Sequence, residues 1–456
     1  MLATSTAMDA TLEPTASTEE DVETGAPVLA RVSPLRALAR FVVVAAVLAW
    51  FGLRRIVGAI TGTLDGPTAL RLAFERLGPI YVKLGQLVAS GEALFPERYS
   101  EAFRTLLDRV PPFPFADVER ILEEDLGRPA SELFAHLDPT PMAAASIAQV
   151  HAARLTEGRE VVVKVQRPGI AELAAADVAV MRFLAKLASR VSRIAKNSNA
   201  VAIVDDFGVN LASEIDFRRE AQHMREFNEV MNVMGNREVR APIVVDSLTH
   251  ARVLTMERFH GWKIDDVEGV RQSPFDPEER LLHGIRSWFQ TLILRGFFHG
   301  DVHAGNFMML KDGSVGFLDF GIVGRFEHTN RQGVLEYVLG FQQRDFGRVA
   351  DAMVAMETVE HGREVDRDGL ARDLEVTFAP MIDPDEGFRL KHLVPAMMRT
   401  ARAHGLRMPR DLVLVTKQLV YLDRYSRAYG GDKMNVLTDQ RLTNMIMQDM
   451  LVAMMS

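Results

Sequence analysis

The chain has no cysteine among its 456 residues. That absence excludes disulfide scaffolds, Cys-ligated zinc, iron–sulfur clusters and thiolate nucleophiles together. It also offers no sign of an oxidising compartment. A basic excess is missing as well: 53 Lys and Arg stand against 61 Asp and Glu, a net charge of -8. Without a basic face to displace counterions, the chain is a poor candidate for nucleic-acid binding. Residues 1–30 carry six acids, no Lys or Arg, and no apolar period, and read as a disordered acidic tail. A secretory signal is not expected there, because its n-region is basic and its apolar core lies close to Met1. No internal repeat is visible. What is present is ordinary for a folded protein, with 48% apolar and 25% charged residues. The length suggests two or three structural units.

The charge inverts after the tail. From Ala26 to Leu64 there are five arginines and no acid. Between Arg40 and Arg54 lies an unbroken apolar run, Phe41–Leu53. As a helix this run is about 20 Å long, short of the roughly 30 Å hydrocarbon core unless Arg54 and Arg55 snorkel and Ile56–Ile60 continue it. Three readings stay open for residues 31–62: an interfacial anchor on an anionic leaflet, a helix docked on the main domain, and a true span.

Residues 63–136 show three–four apolar spacing and read as a helical extension. Residues 137–258 form a smaller β-rich unit with an inserted helical stretch over 170–234. Residues 259–456 are mostly helical, with a short β interruption at 307–319. This order of elements predicts an α+β fold with a small β-rich lobe and a helical lobe, not a doubly wound sheet.

The most informative stretch is His299-Gly300-Asp301-Val302-His303-Ala304-Gly305-Asn306, followed by Asp319-Phe320-Gly321. The two pieces flank Asp312-Gly313, a hairpin signal. A two-residue turn centred there places Asn306 directly opposite Asp319. An amide oxygen and a carboxylate that close suit Mg²⁺, which takes oxygen ligands and phosphates. Asp301 stands five residues before Asn306, as the base does in the protein-kinase catalytic loop.

A phosphotransferase also needs a lysine on the nucleotide phosphates and an acid to orient it. Lys164 sits in the apolar strand Val161–Val165, and the expected partner is Glu220 on a helix Ser213–Phe227. The hairpin turn at Glu157-Gly158 predicts His151 opposite Lys164. Where a glycine-rich phosphate loop belongs, the chain reads Ala143-Ala144-Ala145-Ser146. Alanines do not readily adopt positive φ, so this cover should be stiffer. Glu257, at the end of a strand, marks the expected hinge to adenine, with contacts mostly through the backbone.

Together these residues resemble the UbiB/AarF (ABC1-type) atypical kinase-like family. Lys83-Leu84-Gly85-Gln86 matches its KxGQ motif, Ala143–His151 its alanine-rich loop, and Val161–Gly169 its lysine strand. Glu214-Ile215-Asp216 matches ExD, with the helix glutamate at Glu220. The match runs roughly over residues 65–440. The sequence departs from the family at Ser90–Pro96, and His223 stands where Asn is frequent. The Met-rich C-terminus is interrupted by Gln448 and Asp449, so an anchor, if present, is N-terminal.

The resemblance implies a protein-kinase-like bilobal fold whose N-terminal helical extension carries KxGQ across the active site. It implies ATP and Mg²⁺ as ligands, and ATPase activity in place of protein phosphorylation. It implies a role in isoprenoid quinone biosynthesis or lipid homeostasis at the inner face of the cell membrane, with a lipid or quinone intermediate and biosynthetic-complex proteins as partners. Lys164 holds phosphates, Glu220 orients it, Asn306 and Asp319 bind Mg²⁺, and Asp301 positions the attacking oxygen. Lys83, Gln86, Glu214 and Asp216 form a regulatory contact. Two alternatives stand beside this: a small-molecule kinase of the aminoglycoside phosphotransferase type, and a nucleotide-gated membrane scaffold.

Overall fold

A computed structural model describes residues 29–30, 32–61, 64–90, 97–106, 111–192, 200–326, 328–356, 365–379, 393–406, 410–431, 436 and 439–455. The acidic tail up to residue 28 and the Gly91–Pro96 stretch lie outside the described residues.

The apolar run at the N-terminus belongs to a helix longer than the run itself, α1 (Pro34–Thr61), about 42 Å at the usual helical rise. One face of α1 docks on the domain. Arg40 reaches Asp177, whose side chain is fully buried, with Nη2–Oδ2 at 3.0 Å, and also donates to the Leu77 carbonyl at 2.6 Å. Phe41 meets Phe183 edge-on at 5.5 Å between ring centroids. The other face leaves Leu38, Val42, Trp50, Leu53 and Ile56 exposed.

The helical extension follows as α2 (Gly66–Leu77), α3 (Pro79–Ser90) and α4 (Glu97–Phe103). After α5 (Phe115–Leu126) and the single turn α6 (Ala130–Leu133), the chain enters the small lobe. Its strands are β1 (Phe134–Leu137), β2 (Ala143–Ala144), β3 (Ala148–Leu155), β4 (Glu160–Gln166) and β6 (Val253–Glu257), in the antiparallel order β1-β3-β4-β6 with β2 on β3. Alternation along β4 sets the lobe's logic. Val161, Val163 and Val165 are fully buried against the α5 residues Val118, Ile121 and Leu122. Val162 and Lys164 take the opposite face, towards the large lobe.

The inserted stretch is α7 (Ile170–Val191), α8 (Ala200–Glu214) and α9 (Phe217–Val233). The helix expected over Ser213–Phe227 is broken in two. Asp216 caps α9 by accepting the Arg218 amide at 3.2 Å, and the Phe217 amide leaves the helical ladder for the Ala251 carbonyl at 3.0 Å. The apolar residues Phe217, Ala221, Met224, Phe227 and Met231 then line one face of α9.

The large lobe carries β5 (Val239–Arg240), β7 (Gly261–Lys263), β9 (Phe307–Leu310) and β10 (Val315–Phe317) in the order β5-β10-β9-β7, and a separate pair, β8 (Phe297–His299) with β11 (Val323–Arg325). Strand content after Gly261 therefore exceeds the single interruption expected from sequence. Helices α10 (Val267–Arg271), α11 (Pro277–Arg295), α12 (His328–Gln343), α13 (Phe346–Met356), α14 (Arg367–Phe378), α15 (Leu393–Ala403), α16 (Arg410–Gly430) and α17 (Gln440–Met455) complete the lobe. Its spine is α11, where Trp288, Phe289 and Leu292 are fully buried and the Trp288 indole donates to the His299 carbonyl at 3.0 Å. That bond ties the core to the start of the catalytic-type loop.

Candidate active site

Both hairpins differ from expectation by one residue, for one reason. Each turn has three loop residues, not two. Gly158 (φ 93°) and Gly313 (φ 85°) take the left-handed conformation at the third loop position, as in a type I turn closed by a G1 bulge. In the first hairpin Val150, not His151, lies opposite Lys164, and His151 pairs with Val163. His151 thereby points into the other core, where its Nδ1 bonds the Asp138 carbonyl at 2.8 Å. In the second, Phe317 faces Phe307, and the Leu318 amide donates to the Asn306 carbonyl at 2.8 Å. Asn306 is therefore opposite Leu318, and Asp319 is one step further along the chain.

Lys164 leaves β4 towards the cleft and meets Glu220 on the first turn of α9. Its Nζ lies 2.9 and 2.8 Å from the two Glu220 oxygens, 3.5 Å from Asp319 Oδ1, and 5.2 Å from the Phe217 ring centroid. Burial pulls the ammonium's pKa down, but Asp319 and Glu220 outweigh it and hold the group well above its ordinary range. Burial pushes the Glu220 carboxyl up to about 7 against the pull of Lys164. Lys164 holds the Asp319 carboxyl down at about 2. Asp319 has a positive φ of 56°, rare for a residue with a side chain, and its Oδ1 accepts the Gly321 amide at 3.3 Å. Phe320, fully buried against Phe227 and His299, pins the neighbouring residue. His223 adds a bond to the Phe320 carbonyl at 2.9 Å, and burial lowers its pKa, which favours the neutral ring.

The loop before β9 is laced to itself. The Asn306 side-chain nitrogen donates to the Asp301 carbonyl at 3.1 Å, so its amide oxygen is left as the free donor atom. His299 accepts the Asp301 amide at 3.1 Å and bonds the Leu318 carbonyl at 2.9 Å. Among the described residues no cluster of three or more His, Asp or Glu could hold a metal alone. The available donor set is one ionised carboxylate and one amide oxygen, which fits a hard cation that takes its remaining oxygens from phosphates and water.

Lys83 on α3 pairs with Glu214 at the end of α8, as the KxGQ and ExD match implies. Burial opposes charge on both, and their mutual attraction answers it; Lys83 ends with a raised pKa, and its charge is felt by Asp319 and Asp301. The acidic pair is split, however. Asp216 is occupied by α9, with both oxygens on the Arg218 guanidinium at 2.9 Å, and does not join Lys83. Gln86 lies one turn further along α3 and has an interaction of its own.

The alanine-rich segment forms β2 and a tight return to β3, closed by the Ala145 amide on the Ala148 carbonyl at 2.8 Å. None of Ala143–Ile147 takes a positive φ, in keeping with a cover built without glycine. Sequence reasoning missed what fastens it. Gln149 satisfies both the amide and the carbonyl of Phe113, at 3.1 and 3.3 Å. Arg167 donates to the Pro111 carbonyl at 3.0 Å and the Ala145 carbonyl at 3.4 Å, and stacks over Phe113. The signal was present as a Gln in an apolar strand and an Arg just past β4. At the position expected for a hinge, Glu257 ends β6; its carboxylate takes Arg240 at 2.6 Å and its amide donates to the Ile243 carbonyl at 2.8 Å.

A profile of the ABC1 atypical kinase-like domain matches residues 105–353. The chain belongs to the ABC1 (UbiB/AarF) atypical kinase-like family. Its relatives include an uncharacterised aarF domain-containing chloroplast protein kinase of Arabidopsis thaliana, 35% identical over 83% of this chain and 75% of that protein. A probable protein kinase UbiB of Marinobacter nauticus is 33% identical over 80% of this chain and 66% of that one. Among solved structures, the complex of Mycobacterium tuberculosis Rv3197 with erythromycin is similar, with TM-score 0.54 and 25% identity, covering 80% of this chain and 92% of that one. The ABC1 fold is kinase-like and bilobal, matching the α+β architecture described above.

Proposed function

We propose that this ABC1 protein binds ATP with Mg²⁺ and hydrolyses it, and that turnover serves isoprenoid quinone biosynthesis or lipid homeostasis at the cytoplasmic face of a membrane. The observation that carries this reading is Lys164, held by Glu220 on one side and facing Asp319 on the other, above a loop that presents Asp301 and Asn306. In this reading Lys164 holds the α- and β-phosphates and Glu220 keeps it aimed. Ala143–Ser146 covers the phosphates, and the hinge at Glu257 receives adenine through its backbone. Asp301 positions the attacking oxygen, and Asn306 and Asp319 hold Mg²⁺. When bound, the cation neutralises charge developing on the phosphate oxygens. The Lys83–Glu214 pair packs the helical extension against the cleft, which favours water over a peptide as acceptor.

The membrane part rests on α1. Its docked face is polar-clamped, while its outer face and the neighbouring Phe183, Leu187 and Val191 of α7 expose apolar side chains. Pro34–Gly58 is also long and apolar enough to cross a bilayer by composition. The docked geometry favours a helix lying on an anionic surface over a span.

The test measures ATP hydrolysis with and without anionic liposomes, for the full chain and for a form lacking residues 1–62. Expected are Mg²⁺-dependent phosphate release without a phosphorylated acceptor, and liposome binding that the deletion abolishes. Stable phosphorylation of an added alcohol would replace this reading with the small-molecule kinase. Full biological activity of an Asp319→Asn variant that binds ATP without turnover would favour the scaffold.

A further inference from the structure

The second histidine of the loop, His303, has no part in the roles above, yet its geometry is fully determined. Its Nδ1 accepts the Gly305 amide at 2.9 Å. A ring nitrogen that accepts carries no proton, so the neutral imidazole bears its hydrogen on Nε2. That nitrogen lies 3.6 Å from Asp301 Oδ2, just beyond hydrogen-bond length. Residue 305 has to be glycine for this: a Cβ there would come within 2.8 Å of His303 Cε1 and 3.1 Å of Nδ1. The Asn306 amide donates to the His303 carbonyl at 2.9 Å, which fixes the backbone from which the ring projects. Asp301 is thus gripped at its amide by His299 and faced at its carboxylate by His303.

We propose that His303 is a positioning residue for Asp301. Its Nε2–H directs Oδ2, so that Oδ1 is the oxygen presented to the attacking group. At 3.6 Å the contact is just beyond hydrogen-bond length, and a small approach of the two side chains would complete it. This role rests on the hydrolytic reading of Asp301: a residue that acts only through Asp301 should change turnover and leave nucleotide binding unchanged.

Two substitutions in the full-length protein discriminate. His303→Asn keeps an acceptor oxygen near the Nδ1 position for the Gly305 amide but cannot reach Asp301. His303→Gln places an amide N–H close to the Nε2 position. Expected are a fall in kcat of roughly 10- to 100-fold for Asn with KM for ATP within about twofold of the parent, and recovery of most of the loss by Gln. Wild-type kcat for Asn, or equal losses for Asn and Gln, would overturn the proposal. A second readout needs no turnover. In ¹⁵N-histidine-labelled protein, with the His303 signals identified by their loss in His303→Asn, the ring should show the Nε2–H tautomer, and Asp301→Asn should shift its Nε2 resonance. An Nδ1–H tautomer, or no shift, would refute the geometry. Absence of ATP hydrolysis in the parent would instead count against the function proposed above, while the spectra still decide His303.

Discussion

The clamp between α1 and α7 makes a sharp prediction about how the N-terminal helix is held. Asp177 is fully buried, and Arg40 is 16% exposed. Burial raises the Asp177 carboxyl while Arg40 pulls it back down, so the charge depends on its partner. Arg40→Ala leaves a buried carboxylate alone, a change that typically costs about 3–5 kcal/mol. The carboxyl has one escape, which is to take up a proton. From an ordinary value near 4, protonation at pH 7 costs roughly 4 kcal/mol, and that caps the loss. The expected destabilisation of the docked helix is therefore about 3–4 kcal/mol, or roughly 10²- to 10³-fold in its opening equilibrium. Hydrogen exchange of α1 amides reads this directly, with α11 amides as an internal reference. Arg40→Met combined with Asp177→Leu should restore most of the protection, because neither charge is then stranded. A change in α1 exchange below tenfold in the single variant would refute the reasoning. So would a double variant as open as the single one, since α1 would then be held by something other than this pair.

Glu220→Gln leaves Lys164 with Asp319 alone, and nucleotide affinity should fall about tenfold or more by calorimetric titration, with the fold retained by circular dichroism. Chelating Mg²⁺ should weaken ADP binding at least tenfold, since the site supplies only one ionised carboxylate and one amide to the cation; EDTA-insensitive affinity would contradict the donor assignment. Gln149→Ala strands the Phe113 amide and carbonyl and should cost about 1–3 kcal/mol in denaturant unfolding. For Asp125, burial opposes the charge, but the Arg252 guanidinium outweighs it and holds the carboxyl below 3.8, its usual value. The unfolded chain then takes up the proton first, so this stabilisation is complete above about pH 4 and is lost as pH falls through the lowered value. Asp125→Asn should flatten that acid slope in pH-dependent unfolding; an unchanged slope would contradict the pairing.

The hairpins show how far the sequence could be read. Asp312-Gly313 and Glu157-Gly158 marked both turns, and the strands around them form. The register did not follow, because the same glycine serves a two-residue turn and a three-residue turn with a bulge, and only the backbone path distinguishes them. Lys164 and Glu220 were legible because a lone lysine in a valine run needs a buried acid. The break at Ile215–Asp216 was not, since Asp216 fits a helix interior as a letter and acts as a cap only when Phe217 is drawn to Ala251. The docking of α1 was one of three readings left open, and it stayed undecided for a related reason. Arg40 looked like the basic flank of an apolar run, and its partner Asp177 lies 137 residues away.

If the site binds nucleotide as proposed above, the contacts of Lys164 also order the events that binding requires. Glu220 holds the ammonium with two short contacts and is 4% exposed, whereas Asp319 touches it at 3.5 Å and is 53% exposed. An incoming phosphate would therefore compete with Asp319 and not with Glu220. Lys164 is what holds the Asp319 carboxyl down at about 2, so a carboxylate displaced from the ammonium would lose that partner, and a cation would take its place. Lys83 works in the same direction. It places a second positive charge within reach of Asp319 and Asp301 while Glu214 keeps it from moving onto either. Asp301, Asp319, Glu214 and Glu220 together outnumber the two ammonium groups, so a bare nucleotide meets net negative charge. In the proposed reading a divalent cation would remove that conflict, and cation and nucleotide would bind as mutually dependent ligands.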